Sequence, residues 1–367
     1  MKAYMILVAF IFICWCVTKG GCLVCKIGKG KEKRWNLFLV LSFFAAFLLA
    51  ALRSDSVGAD TWNYIRYYGC VGDLNWGGLL DGTWEHNFFT TEKGYMILEK
   101  LCSDLGIPAQ LFLAMGAGIF IYGVYRLAVC YAEKHLLLAV CCFLAVGGYL
   151  LALNAMRQGI GIGICCLAWC ELKSGHTKRF ITEVLLACTM HISCAVFFIA
   201  FLFDRIPASK KIATLALTVS LVFGAAGAEA MTYILRLFPM YENRYGVGIW
   251  KINEANGIIL VWIASVLIIL LTIFLKDWKK KENHVDFEIL LWGMCYVCIN
   301  MIGLSFDGAQ RLAFAFSPFL VLLFARSCLL LKGKVRYFYS AGLTLCMLLV
   351  FFKAASTPQY VYTWIGG

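Results

Sequence analysis

The stretch FITEVLLACTMHISCAVFFIAFLF (residues 180–203) is apolar at both ends and polar at its midpoint, with a basic loop on each side: KSGHTKR (173–179) before it and DRIPASKK (204–211) after it. Short loops rich in Lys and Arg stay on the cytoplasmic side of a membrane. A single crossing here would put two loops of the same character on opposite faces and would reverse every later loop. An even number of crossings removes the conflict. Residues 180–190 and 191–203 then form a hairpin of two short helices whose tip carries His191 toward the outer face. Irregular backbone at such a tip needs burial in protein or a wet cavity. The rival reading is one tilted span, with another helix boundary misplaced elsewhere.

The rest of the chain supports a membrane reading. It is 62% hydrophobic and only 15% charged, with a mean hydropathy of +0.80. Apolar runs recur at lengths of about 17–22 residues, which suit helices crossing a hydrocarbon core of about 30 Å. Helices satisfy their own backbone polar groups there. The first run, 3–18, has no clear small-residue cleavage site and precedes a basic loop, so it reads as a helix rather than a signal peptide. Most of the 18 cysteines sit within apolar runs, as in ICCLAWC, where they serve as small apolar side chains. Cys22 and Cys25 form a CxxC without a second pair, a poor case for a metal site. No HExxH, GxSxG or phosphate-cradling glycine loop is present.

Basic residues fix the orientation. Residues 19–34 carry six Lys/Arg, 173–179 three, 204–211 three, 276–281 four and 332–336 three. With these loops inside, spans fall near 3–18, 36–52, 107–126, 136–153, 158–172, 212–228, 257–275, 286–304, 312–331 and 337–355. The expected architecture is an all-α polytopic membrane protein of about ten transmembrane helices plus the short-helix hairpin. It forms a single integral membrane domain over 1–367, with outer loops 53–106 and 229–256 and both termini outside. The net charge of +12 is then an orientation signal, and nucleic acid is not an expected partner.

The outer side carries the chemistry. RSDSVGADTWNYIRYYG (53–69) places Arg53, Asp55 and Asp60 before a helix that Asp60 or Thr61 can cap, with Asp60, Tyr64 and Tyr67 or Tyr68 on one face. TTEKGYMILEKLCSDLGI (90–107) reads as an amphipathic helix capped by Thr91, with Glu92 and Tyr95 at its start and Leu98, Leu101, Cys102 and Leu105 as its apolar stripe. Trp62, Trp76 and Trp84 read as an interfacial belt. NAMRQGIG (154–161) sets Arg157 and Gln158 at the mouth of a span, where an ionisable residue is a functional candidate. LRLFPMYENRYGVG (235–248) offers Tyr241 and Arg244, a pairing of aromatic and polar groups that suits a sugar. Arg311 follows Asp307 in SFDGAQRLAFAF. Arg53, Arg157, Arg244 and Arg311 could converge on a phosphate-bearing lipid, since guanidinium forks bind phosphate bidentately. Each arginine alone could instead snorkel to the headgroups, and the carboxylates near Arg53 could form a structural ion pair. His191 could serve only as a backbone hydrogen-bonding group.

Five motifs in this order, RSDSVGADTWNY, EKGY, NAMRQGIG, MHISCAV and GAQRLAF, resemble the EpsG family of polysaccharide polymerases, Wzy-like proteins of exopolysaccharide and capsule pathways. The resemblance spans roughly 40–365. Arg53, Gly58, Asp60 and Tyr64 match the family's Arg…Gly-x-Asp…Tyr pattern. Glu92, Gly94 and Tyr95 match its Glu-x-Gly-Tyr, Arg157 and Gln158 its Arg-Gln, and His191 and Ser193 its His-x-Ser. Arg311 fits less well, because RLAFAF lacks the expected tyrosines. The resemblance implies a fold related to the GT-C glycosyltransferases in a bacterial plasma membrane. It also implies oligosaccharide repeat units carried on undecaprenyl pyrophosphate as substrate.

Such a reaction sends a sugar hydroxyl of one lipid-linked unit onto the anomeric carbon of another, and the pyrophosphate lipid leaves. Cations at the leaving group lower the barrier; the candidates are Arg157 and Arg311, joined by Arg244. The base is His191, Asp60 or Asp55, while Gln158, Tyr64 and Tyr95 orient sugars. No metal or other cofactor is expected, and a flippase and a chain-length regulator are candidate partners. The alternatives are a glycosyltransferase adding one sugar from a polyprenyl-phosphate donor, a flippase of lipid-linked sugars and a membrane O-acyltransferase. A flippase would need a polar path through inner helix halves that are largely apolar. An acyltransferase would want its histidine on the cytoplasmic side.

Overall fold

The computed structural model describes residues 1–20, 24–27, 33–81, 92–227, 256–280, 283–303 and 307–366. These are almost entirely helical, apart from a short antiparallel ladder between β1 (Val24–Ile27) and β2 (Lys33–Asn36). In chain order the helices are α1 (Lys2–Val17), α2 (Leu37–Ala51), α3 (Thr61–Val71), α4 (Trp76–Asp81), α5 (Lys93–Asp104), α6 (Ala109–Tyr131), α7 (Leu136–Ala145), α8 (Tyr149–Asn154), α9 (Met156–Lys173), α10 (Thr177–Met190), α11 (Ala200–Phe203), α12 (Lys210–Ala225), α13 (Asn256–Leu275), α14 (His284–Gly303), α15 (Gly308–Leu330) and α16 (Gly333–Ala355). Local chemistry sets several starts. The Asn36 side chain accepts the Leu39 N–H to open α2, and Ser209 accepts that of Ile212 to open α12.

Four of the described helices, α6, α14, α15 and α16, are long and apolar enough to cross a membrane. Others, among them α1, α2 and α7, are apolar but shorter. The count of about ten spans is therefore not reached on length and apolarity alone. The surface nevertheless carries apolar stripes. Leu215, Val219 and Val222 of α12 stand exposed at helical spacing, as do Leu345 and Leu349 of α16. In water such stripes would be costly; against lipid tails they are not.

The chain divides into two compact units. The first comprises Met1–Tyr131, Tyr149–Phe198 and Phe351–Gly367, and the second Ala132–Gly148 and Ile199–Val350. In the first, α9 packs against α6 on one side and α10 on the other, α2 packs on α6, and α3 and α5 pack on each other. α6 and α9 cross at Gly123 and Gly163. A Cβ on Gly123 would lie 2.3 Å from the Gly163 carbonyl oxygen. Only bare backbones allow that approach, as in small-residue crossings between membrane helices. In the second unit α14 is central, packed by α12, α13 and α15, and α7 lies against α15.

Two expectations need correction. The run 136–153 is not one span. α7 ends at Ala145, the N–H groups of Val146 and Gly147 both turn back to the Cys142 carbonyl, and Gly148 takes φ +90° before α8 begins. The Gly-Gly pair makes this break inexpensive and supplies the left-handed residue it needs. Asp60 stands at the N-cap of α3 but its side chain makes no capping bond; Thr61 instead donates its hydroxyl to the Val57 and Leu153 carbonyls.

The decisive stretch breaks at its polar midpoint. α10 stops at Met190, His191 is extended, and a 3-10 stretch, Ile192–Ile199, leads into α11. The Phe180 and Phe198 rings meet edge-on at 6.2 Å, whereas one continuous helix would separate them by about 27 Å. The segment thus folds back on itself. A double-mutant cycle on Phe180→Ala and Phe198→Ala in thermal melts should show coupling of about 0.5–1.5 kcal/mol. Strict additivity would mean that the limbs do not meet.

Candidate functional site

Four separate segments of the first unit bring their polar residues to one place. From the start of α5 comes Glu92, from α9 Arg157 and Gln158, from the break after α10 His191 and Ser193, and from α3 Tyr64. The Glu92 carboxylate is the junction. Its Oε2 lies 2.7 Å from Arg157 Nη1, and its Oε1 accepts the Ile192 N–H at 3.1 Å and faces His191 Nε2 at 3.7 Å. On the other side of the imidazole, Nδ1 lies 2.7 Å from Ser193 Oγ and accepts the Ser193 N–H at 3.3 Å. Gln158 Nε2 donates to Ser193 Oγ at 3.1 Å. An Nδ1 that accepts a backbone N–H holds the neutral ring as the Nε2–H tautomer, with that proton directed at Glu92.

The glycine of Glu-x-Gly-Tyr makes this geometry reachable. A Cβ on Gly94 would lie 2.1 Å from Thr189 Oγ1 and 2.9 Å from the Thr189 carbonyl oxygen. Only glycine lets the first turn of α5 press onto the last turn of α10 and deliver Glu92 to the break. Tyr95, one residue on, is 2% exposed and forms a floor. The Arg157 guanidinium carbon sits 5.8 Å from its ring centroid, within cation–π range. Tyr64 meets the Tyr95 ring edge-on and interacts with Arg157 through its hydroxyl. Burial raises the phenol pKa of both tyrosines, so both stay neutral donors.

Glu99 lies one turn below and was not singled out by the sequence reading. It is 2% exposed, and Oε1 accepts the Tyr95 hydroxyl at 3.0 Å. Burial pushes its carboxyl up to about 7, against the opposing pull of the Tyr95 bond and the Arg157 charge. The apolar stripe expected for this helix holds in half its members: Cys102 is buried and Leu98 packs on the same cluster. Leu101 and Leu105 are exposed instead, while Tyr95, Glu99 and Lys100 are buried. In a membrane protein the polar face turns toward protein partners and the leucines face outward. Lys100 accordingly pairs with Asp104 and donates to the Gly72 carbonyl.

The remaining candidates are placed differently. Asp55 is exposed and Asp60 half-buried. Arg53 is fully buried in the same unit and makes no ion pair among the described residues, so it is not paired with those carboxylates. Arg311 is exposed on α15 in the second unit. Tyr241 and Arg244, the Thr91 cap, Trp84 and Cys22 lie outside the described residues. A donor set able to hold a divalent cation exists in the second unit, where ligand atoms of Asp204, His284 and Glu288 lie within 4.8 Å of one another. It is not part of the Glu92–Arg157 cluster.

A model of the EpsG family matches residues 36–364, nearly the whole chain. The chain belongs to the EpsG family. No curated protein and no solved structure matches it. Membership points to an exopolysaccharide-related polymerase and, with the apolar helices, to a membrane protein. Four of the five motifs that carry the resemblance lie in the first unit, and all four contribute to the site, the first of them through Tyr64.

Two outcomes follow. Gly94→Ala should lower the melting temperature and abolish activity, and adding Thr189→Gly should recover part of both; equal loss in single and double variants would mean the close approach is unimportant. Glu99 binds its proton more tightly folded than unfolded, so stability is fullest below pH 4.5 and falls as pH rises through about 7. The loss amounts to about 3 kcal/mol. Glu99→Gln should flatten that slope in melts across this range; an unchanged slope would remove Glu99 as its source.

Proposed function

We propose that this EpsG-family protein joins oligosaccharide repeat units carried on undecaprenyl pyrophosphate, on the outer face of the bacterial plasma membrane. The observation that carries the reading is the convergence of Glu92, Arg157, Gln158 and His191 from three separate motifs into one hydrogen-bonded cluster. Arg157 is partly exposed, with 26% of its side chain accessible, so it can present guanidinium donors to a ligand. In this reading it takes the pyrophosphate oxygens on which charge builds as the glycosidic C–O bond to the lipid carrier breaks.

The Glu92 pairing gives that step a second consequence. A phosphate on Arg157 competes for the donors that Glu92 now holds. A carboxylate relieved of Arg157 is free to close the 3.7 Å gap to His191 Nε2, which makes the ring a stronger base. His191 is the favoured acceptor of the sugar hydroxyl proton because, of the three bases considered, it alone belongs to the cluster. Its Nδ1 is held by Ser193, so the Ser193 hydroxyl must turn aside or relay the proton. Gln158 fixes Ser193. Tyr64 and Tyr95 support Arg157 from below rather than presenting open aromatic faces.

The test is complementation of a strain lacking this protein, at matched membrane levels, with lipid-linked glycans resolved on a gel. Wild type should give a ladder of repeat units. Arg157→Ala should reduce polymer by about 10²–10³-fold, the usual effect of removing one preorganised charge donor, and leave single units. Arg157→Lys should rescue only weakly, because it keeps the charge without the fork. A full ladder from Arg157→Ala, or from the deletion strain itself, would overturn the assignment. Loss of even the single unit would point to a flippase or an earlier transferase.

A further inference from the structure

Arg53 poses a different problem from Arg157. It is 0% exposed, Nη1 donates to the Ala50 carbonyl, and Nε and Nη2 have no hydrogen-bond partner among the described residues. Its strongest electrostatic neighbours are Tyr149, Tyr362, Tyr4 and Tyr64, not carboxylates. Burial lowers its pKa to about 10, so it remains a cation at neutral pH. The Tyr149 and Tyr362 hydroxyls donate to the Ala46 and Leu49 carbonyls. The Tyr4 hydroxyl is 0% exposed and has no partner among the described residues. An unpaired buried cation is costly, and so is an unmade buried donor. Tyr4 lies within electrostatic reach of Arg53, and one anionic acceptor would satisfy both.

What covers them is the C-terminal segment, residues 357–366. Trp364 bridges Arg53 in antiparallel fashion. Ser54 N–H donates to the Thr363 carbonyl, Ile365 N–H to Leu52 and Gly58 N–H to Gln359. The Thr363 hydroxyl meets those of Ser54 and Ser56, the latter at 2.7 Å. This strap is held unevenly. Tyr360 is buried and its hydroxyl accepts from Asn154, and Tyr362 meets the Tyr4 ring edge-on at 5.7 Å, whereas Val361, Trp364 and Ile365 are about half exposed. The exposed hydrogen bonds around Thr363 exchange readily with water. The end of the strap can therefore peel away from its anchor at Tyr360 while the helices beneath stay in place.

We propose that Arg53 and Tyr4 form a diphosphate-oxygen site, and that the C-terminal strap is a lid which lifts to admit the lipid-linked diphosphate and closes over it. The choice of ligand rests on the polymerase reading. The site and its lid rest on the unpaired donors and the hydrogen bonds over them. Closure removes water from around a cation that then interacts with phosphate at low dielectric.

The experiment uses the purified full chain in nanodiscs, with melting temperature as the readout and two probes, inorganic pyrophosphate and farnesyl diphosphate. A Ser56→Cys/Thr363→Cys pair, within disulfide reach, tethers the strap when oxidised. Farnesyl diphosphate at a hundredfold excess over its Kd should raise the melting temperature of wild type, whether oxidised or reduced, and of the reduced pair. It should shift the oxidised pair by less than wild type, because only Arg157 stays open to it, and reductant should restore the full response. Arg53→Met should fold at least as stably and show the same reduced shift. An equal shift in the oxidised tether, an undiminished shift in Arg53→Met, or no shift in wild type overturns the proposal. A response to inorganic pyrophosphate alone overturns the lipid as its source. Because no polymer is measured, an Arg53-dependent shift in a protein whose deletion leaves the glycan ladder intact would sink the polymerase reading and leave the lidded site standing.

Discussion

A helix broken inside an apolar bundle must find partners for the N–H groups the break exposes. At His191 that requirement is met by the candidate site itself. The Ile192 N–H goes to the Glu92 carboxylate and the Ser193 N–H to the His191 ring. The fold of the hairpin and the arrangement of the polar cluster are therefore one constraint seen from two sides. Remove the break and there is no N–H for Glu92 to accept; remove Glu92 and the hairpin tip has an unsatisfied donor beside an arginine without its counter-charge. Gly94 belongs to the same constraint, because the carboxylate reaches the tip only if α5 starts in contact with the Thr189 backbone.

Much of this was legible from the chain. Basic loops on both sides of 180–203 favour a turn-back over one tilted span, and the Phe180–Phe198 contact supplies it. Arg157, Gln158 and His191 read as polar residues among apolar runs and Glu92 as the start of an amphipathic helix, and they meet. What escaped has identifiable causes. The helical period of α5 was read with the soluble-protein rule that leucines point inward. The presence of Glu99 and Lys100 between those leucines was the contrary signal, since two ionisable groups in a helix beside a bilayer prefer protein to lipid. The Gly147–Gly148 break was obscured by the uniform apolarity around it. Tyr4 lay in a run with no polar company, and nothing local in sequence links it to Arg53.

Arg53 and Arg157 of the first unit illustrate how one side chain takes two roles. Arg157 has a counter-ion, an aromatic floor and partial exposure. Its charge is stabilised without ligand, so in the proposed reaction a phosphate would compete with Glu92 for it, and that competition would reach His191. Arg53 has no counter-ion among the described residues and no exposure. A ligand there would displace no carboxylate, and the desolvation of the cation is already spent in the fold.

That difference bears on which step each arginine can serve. Charge stabilisation accelerates a reaction only when it is stronger in the transition state than in the ground state. A cation that holds phosphate tightly throughout lowers both and so anchors the substrate. A cation shared between Glu92 and phosphate can shift its hydrogen bonds toward phosphate as the leaving group gains charge, and its contribution grows along the reaction coordinate. On this argument Arg53 under its strap is suited to holding a diphosphate and Arg157 to stabilising its departure. The exchange then turns on the Glu92 carboxylate, which would take up His191 Nε2–H as Arg157 turns its own N–H groups to phosphate.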